Sequence, residues 1–355
     1  MLEFVGVTKQ YLYGARLFGA LDLKIADGEI VAVYGGEGSG KTSFLKTAAG
    51  VEECEGKVLL DGETVFVRTD KVIMVFDDGA VFKWKTVFDN LAFPLKLRKY
   101  DKVDIASRVL SAAEKMGIGG VCLRLRARSL NDVEKCRMAL ARLFVRDAKL
   151  LVIDDVTFGL ERADAEALWA ELAPLLKEKA KEGAIVLYST SSREEAASIS
   201  DRIIVLQDGE VKQVAAYDDI RKNPENVWAA QAVDGHYNVA KCVLTEQNGR
   251  LTLSFGENRT IDAESLRGRI ADGYKDKEVL CGWFPKNVGS AENSSHRDAF
   301  TEKVTFVSAD KYGFELTTES GLYARSSERL SEVDAYPEEG EFVLFDSANE
   351  NSIVK

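Results

Sequence analysis

An α/β layer domain followed by a small all-β domain is predicted by two textures and one motif. Short apolar runs rich in Val and Ile alternate with amphipathic stretches up to residue 232, the order that builds a layered α/β fold. From residue 233 onward, alternating strands are broken by Gly-containing turns, the texture of hairpins closing into a small barrel or sandwich. Between the first strong strand and the first helical stretch lies "GGEGSGKT", residues 35–42, which fits the spacing of a phosphate-binding loop.

The elements follow in chain order. "MLEFVGVTKQYLYG" carries an acid at Glu3 and no apolar run long enough for a signal segment. "EIVAVYGG", "KVIMVF", "LLVIDD", "AIVLYST" and "DRIIVLQDGEV" read as buried, mostly parallel strands, because their apolar runs are continuous rather than alternating. Residues 101–116 and "ADAEALWAELAPLLKEKAKEG" read as helices, the second stopping at Gly183. "IRKNPENVWAAQAVDG" is the expected connection to the second domain, whose strands lie in "VLTEQNGRLTLSFGENRTI", "VTFVSADKYGFELTTESGLYARS" and "EFVLFDSANENSIV". The expected domains are therefore 1–232 and 233–355.

The formal net charge is −11, so the surface as a whole repels nucleic acid and anionic lipid, and no nucleic-acid partner is expected. The five cysteines have no C-x-x-C spacing, which points to reduced core thiols rather than zinc. No stretch reaches the length of a membrane-spanning helix; a cytoplasmic protein is expected.

In the loop, Gly35, Gly36, Gly38 and Gly40 let backbone N–H groups curl around phosphates, with Glu37, Ser39 and Ser43 completing the cradle. Lys41 would reach the β- and γ-phosphates, and the Thr42 hydroxyl would coordinate Mg²⁺. Asp154, at the end of the apolar strand of "LLVIDD", would hold that Mg²⁺ through its water shell. ATP and Mg²⁺ are the expected cofactors.

With these motifs in place the chain resembles the ATP-binding-cassette (ABC) ATPases, specifically importer subunits of the maltose and glycerol-phosphate type. The resemblance runs from "VTKQY" and "DGEIVAVYGGEGSGKTSFLKTAAG" through "KVLLDG", "VFDNLAFPLKLRK" and "MALARLFVRDAKLLVIDD" to "REEAASISDRIIVLQDGEV". It implies that the tail is the OB-like, TOBE-type regulatory domain of such subunits. It also implies an adenine-stacking aromatic near the N-terminus, for which Tyr11 matches best and Tyr13 is the alternate.

Several family motifs are altered. The family's glutamine beside Mg²⁺ is Asp77, whose carboxylate can still bind the metal but which has no amide donor. The signature L-S-G-G-Q becomes Leu130, Asn131, Asp132, Val133 and Glu134: two acids would face a polyanion, a Cβ enters where backbone approach is wanted, and Asn131 retains a side-chain donor. Asp155 stands at the position of the glutamate that orients attacking water, its carboxylate withdrawn by roughly 1 Å, a displacement that can cost about a hundredfold in rate. Ser191 replaces the switch histidine, and "FGLE" at 158–161 replaces the loop that links two subunits. In the tail, "GWFPK" departs from the G-x-R-P-E of the relatives.

These catalytic positions, degenerate together beside an intact loop, imply a chain that binds MgATP but hydrolyses it poorly or not at all. The expected partners are transmembrane permease subunits, docked through 77–98 at the inner face of the membrane, and a second, intact ABC ATPase. Phe82, Trp84 and Phe88 are the apolar candidates of that docking segment, with Lys83 and Lys85 at its rim. The alternatives are an ATP-bound sensor homodimer without turnover, and an active ATPase that tolerates its substitutions. A carbohydrate or polyol is the expected cargo class.

Overall fold

A computed structural model describes all residues except 12–15, 67–68, 78, 248, 257–258, 286–300, 311–312, 321, 327–331, 335–341 and 355. Tyr13 and the lysine of "GWFPK", Lys286, lie outside the described residues. The chain forms two compact units, Met1–Tyr217 and Asp218–Lys355.

The strands of the first unit are β1 (Leu2–Gln10), β2 (Arg16–Ile25), β3 (Ile30–Tyr34), β4 (Glu55–Leu60), β5 (Glu63–Thr64), β6 (Val72–Val75), β7 (Leu150–Ile153), β8 (Ile185–Thr190), β9 (Arg202–Gln207) and β10 (Glu210–Ala215). Its helices are α1 (Lys41–Ala48), α2 (Val87–Leu97), α3 (Lys102–Lys115), α4 (Asp132–Ala141), α5 (Arg162–Lys181) and α6 (Arg193–Ile199). One sheet has the order β2-β1-β4-β5 and is antiparallel; the other has the order β10-β9-β3-β8-β7-β6. In the second sheet all neighbours run parallel except β10, which turns back on β9.

The continuous apolar runs are where the sequence placed them, and β7 and β8 are buried at every residue. Helix α3 opens on Asp101, whose carboxylate accepts from the Val103 and Asp104 amides, so the first orphan donors are satisfied. Helix α5 ends before Gly183, which adopts φ +92°, a left-handed conformation that costs glycine little. Phe44 of α1 locks the P-loop helix into the core: its ring stacks on Phe4 at 5.1 Å and meets Phe18 edge-on at 5.6 Å.

This order brings the carboxyl ends of β3, β8, β7 and β6 side by side along one edge of the sheet. Ligands of parallel sheets bind there.

The second unit opens on helices α7 (Tyr217–Lys222) and α8 (Val227–Val233). Its strands are β11 (Asn238–Gln247), β12 (Arg250–Phe255), β13 (Arg259–Asp262), β14 (Glu278–Trp283), β15 (Thr301–Asp310), β16 (Gly313–Thr318), β17 (Tyr323–Ser326), β18 (Glu332–Asp334) and β19 (Val343–Asp346). They pair as β13-β12-β11-β14-β19 and β17-β16-β15-β18, all antiparallel. Leu253, Cys281 and Trp283 of the first of these sheets share a core with Leu316 and Ala324 of the second. The unit begins at Asp218, upstream of the expected boundary at 232. The physical reason is α8: Val227 and Ala230 pack with Tyr237 and Phe345, so a segment read as a connection belongs to the β domain's own core.

Candidate nucleotide-binding site

The P-loop connects β3 to α1. Gly40, the residue before the helix, has φ +103° and offers no side-chain cap, and the first turn of α1 has no acid. The helix thus begins with unsatisfied N–H groups and a positive dipole end, the arrangement that attracts an anion. Gly35 is required sterically, since a Cβ there would meet Leu206 O at 2.3 Å and Ser39 Oγ at 2.4 Å. From below, the turn between β9 and β10 braces the loop, with the Gly209 amide donating to Ser39 O at 2.9 Å.

Lys41 is 9% exposed and its ammonium donates to Gly35 O at 2.8 Å and Gly36 O at 3.0 Å. It is therefore held against the loop that it serves. Glu37 and Gly38 are exposed at the loop's tip, and Ser43 lies on the first turn of α1.

Across the sheet, the Thr42 hydroxyl donates to Asp154 Oδ1 at 3.1 Å. Ser189, at the end of β8, donates to the same oxygen at 3.0 Å and accepts the Asp155 amide at 2.8 Å. Asp154 is fully buried, and its Oδ2 has no hydrogen-bond partner among the described residues. A bare buried carboxylate oxygen next to a threonine hydroxyl fits a hydrated Mg²⁺. Among the described residues no group of three acids, histidines or cysteines is placed to hold an ion by itself; phosphate and water would supply the remaining ligands.

The acids titrate unusually. Burial raises Asp154 above its ordinary 3.8, with the charges of Asp77 and Asp155 adding and the Ser189 and Thr42 hydrogen bonds opposing. Burial likewise raises Asp155, opposed by Lys41 and assisted by Asp77. A raised carboxyl binds its proton to higher pH in the fold than in the unfolded chain, so its contribution to stability is present on the acid side and is lost as pH rises through the raised value. Mg²⁺ needs the ionised form. The Mg²⁺-dependent part of ATP affinity is therefore expected to fall, on acidification, at a pH above 3.8. Calorimetric titration across that range checks it: persistence down to the ordinary aspartate value would contradict the burial argument, and Asp154→Asn should remove this residue's share of the pH dependence, leaving that of the ATP phosphates.

Three of the altered positions, Asp77, Asp155 and Ser191, follow β6, β7 and β8 at that same edge. Asp155 is half-buried with φ +37°, a strained conformation for a non-glycine residue, while Asp77 and Ser191 are exposed. In the signature, Asn131 caps α4: its Oδ1 accepts the Glu134 amide at 2.9 Å, and Glu134 Oε2 accepts the Asn131 amide at 2.9 Å. Glu134 is therefore folded back into a capping box instead of pointing freely outward. Asp132 pairs with Lys135 at 2.7 Å; Leu130 is buried and Val133 half-buried.

Tyr11 follows β1 and is 40% exposed, with its hydroxyl 2.7 Å from Ser43 Oγ. The adenine candidate thus stands beside the P-loop helix. Ser189 was missed by the sequence reading; the signal for it is a serine in an apolar strand, one step beyond the Ile153↔Tyr188 pair and hence opposite Asp154.

The docking candidates separate into distinct features. Phe82 meets Phe93 edge-on at 4.6 Å under the Lys85 ammonium. Trp84 is 70% exposed, with the Arg128 guanidinium 4.6 Å from its ring. Phe88 is half-buried and Lys83 exposed. The Ala127 and Arg128 amides donate to Lys85 O and Lys83 O at 3.0 Å, so residues 127 and 128 extend this surface by backbone pairing.

Comparison with known proteins places this geometry. A family profile described as ABC transporter matches residues 18–158. The chain is 32% identical over 293 residues to the uncharacterized ABC transporter ATP-binding protein YurJ of Bacillus subtilis, covering 81% of this chain and 78% of that protein. It is 29% identical over 341 residues to the trehalose import ATP-binding protein SugC of Mycobacterium tuberculosis, covering 92% and 85%. The dimeric structure of MJ0796, a bacterial ABC transporter cassette, superposes with a TM-score of 0.54 at 24% identity, covering 61% of this chain and 98% of that one. No helix among the described residues is long and apolar enough to cross a membrane. With a phosphate cradle, an acid for a hydrated cation and this breadth of similarity, the chain belongs to the ABC transporter ATP-binding proteins.

Proposed function

We propose that this chain is the ATP-binding subunit of an importer for a carbohydrate or polyol, and that it holds MgATP with weak or no hydrolysis beside a second, intact ABC ATPase. One observation carries the reading. The loop, Lys41, Thr42 and Asp154 form a complete binding set, whereas the groups that would manage an attacking water are a short acid at 155 and an exposed serine at 191.

The bound Mg²⁺ would supply charge neutralisation at the phosphates, held through Thr42 and Asp154, with Asp77 at the rim. Lys41 would bind the β- and γ-phosphates and the α1 amides would orient them. Proton removal from water falls to Asp155, whose stem is too short for the expected position. Two copies of this chain would carry the same defect twice, so a partner with ordinary catalytic residues is the economical pairing. Closure of that pair around ATP would couple nucleotide occupancy to the permease by a shift in population. The carbohydrate assignment is supported by similarity to a trehalose import protein.

The permease contact is assigned to 77–98. Phe82, Phe93 and Lys85 form one part of it, and Trp84 with Arg128 another. The attachment is peripheral, at the inner face of the cell membrane.

The mass of the intact complex purified through this chain tests the pairing: one copy beside one different ATPase and two permeases supports it, and two copies of this chain sink it. In that complex, Asp155→Glu combined with Ser191→His should leave turnover within about twofold, because the partner's catalytic residues carry it. A many-fold rise would show that this chain's own site limits the rate.

A further inference from the structure

Tyr11 does more than stand near the loop. Its hydroxyl donates to Glu52 Oε2 at 2.7 Å as well as meeting Ser43 Oγ at 2.7 Å. Glu52 lies just past α1, where its amide and that of Val51 both reach back to Lys46 O. Two ammonium groups converge on its carboxylate, Lys9 Nζ at 3.4 Å and Lys46 Nζ at 3.8 Å. Lys9 also donates to Glu53 O at 2.7 Å and lies 5.0 Å from the centroid of the Tyr11 ring. The ring is held at its hydroxyl by an acid and a serine, and on one face by a cation.

An exposed tyrosine normally samples several rotamers, and freezing them on ligand capture weakens binding. Here the freezing is already done. The residue is still 40% exposed, and stacking a flat partner on a fixed ring needs no rearrangement.

We propose that Glu52 is a positioning residue for the nucleotide base: through the Tyr11 hydroxyl it fixes the ring that the base stacks on. The inference rests on the reading of Tyr11 as the adenine-stacking residue. In this role Glu52 acts through the Tyr11 hydroxyl.

Calorimetry on the full chain with two probes tests it, ATP and inorganic triphosphate, the second having phosphates but no base. Glu52→Ala should weaken ATP by about two- to tenfold, the range for one side chain that must be ordered on binding. Triphosphate affinity should stay the same. In a Tyr11→Phe background, which lacks the hydroxyl, Glu52→Ala should add no further loss, and Glu52→Gln, which keeps an acceptor oxygen, should recover most of the ATP affinity in the otherwise unaltered chain. Thermal unfolding confirms that each variant folds, and Glu52→Met, which keeps the length of the stem but removes the acceptor of the Tyr11 hydroxyl, carries the comparison if the alanine variant does not.

Equal losses for ATP and triphosphate would overturn the proposal, because damage to the P-loop helix would affect both. Additive losses in the Tyr11→Phe background would overturn it too. If Tyr11→Ala leaves ATP affinity unchanged, the stacking reading falls and this inference with it. If Tyr11→Ala weakens ATP while Glu52→Ala is silent, the stacking reading stands and the positioning role alone is refuted.

Discussion

Lys41→Ala is expected to weaken ATP binding by roughly 30- to 5,000-fold, the cost of removing one partner of a desolvated charged hydrogen-bond pair. The ammonium is 9% exposed and anchored on two loop carbonyls. Its replacement removes one donor from each of Gly35 O and Gly36 O, the second of which keeps the Ser39 amide at 3.3 Å, and takes the cation from the phosphates. Both effects act in the same direction. Lys41→Arg should recover little, because a forked guanidinium does not fit a place shaped for a compact ammonium. Titration of the purified chain with ATP measures it, and near-normal affinity in Lys41→Ala would show that "GGEGSGKT" is a glycine-rich turn with no phosphate ligand.

Trp283→Ala is expected to destabilise the β domain by about 3–5 kcal/mol, as large-to-small changes of buried aromatics do. Its side chain is 1% exposed at the end of β14, and its ring meets Phe255 edge-on at 6.3 Å. Residues of both sheets share that core, so a cavity there removes contacts from each. Domains of this size are stable by only about 5–15 kcal/mol, and much of that margin would be lost. Chemical denaturation followed by circular dichroism checks it; a change below about 1 kcal/mol would mean that the core closes around the gap.

What could be read in advance, and what could not, follows from range along the chain. The parallel strands were legible because each is a continuous apolar run, and the P-loop because its residues are consecutive. The boundary at Tyr217 was not. The stretch containing α8 looks like a linker in composition, and only its packing on Phe345, more than a hundred residues later, assigns it to the second unit. Ser189 and Glu52 escaped for the same reason, since their partners, Asp154 and Tyr11, are distant in sequence. At the signature, the N-x-x-E spacing of Asn131 and Glu134 is a capping box visible in the sequence, and it gives the Glu134 carboxylate a backbone partner that a reading of its charge does not include.

The stack of Trp84 under Arg128 gives the chain an optical label of its own. Trp169 and Trp283 are 3% and 1% exposed, Trp228 is 40% and Trp84 is 70%. Indole emission shifts with the polarity around the ring, so the buried pair should emit toward the blue and remain constant while Trp84 dominates the red edge of the spectrum. Any protein segment that covers the Trp84 ring would displace water from it and move that edge. The surface proposed to meet the permease thus carries its own reporter of occupancy, readable without adding a dye to the chain.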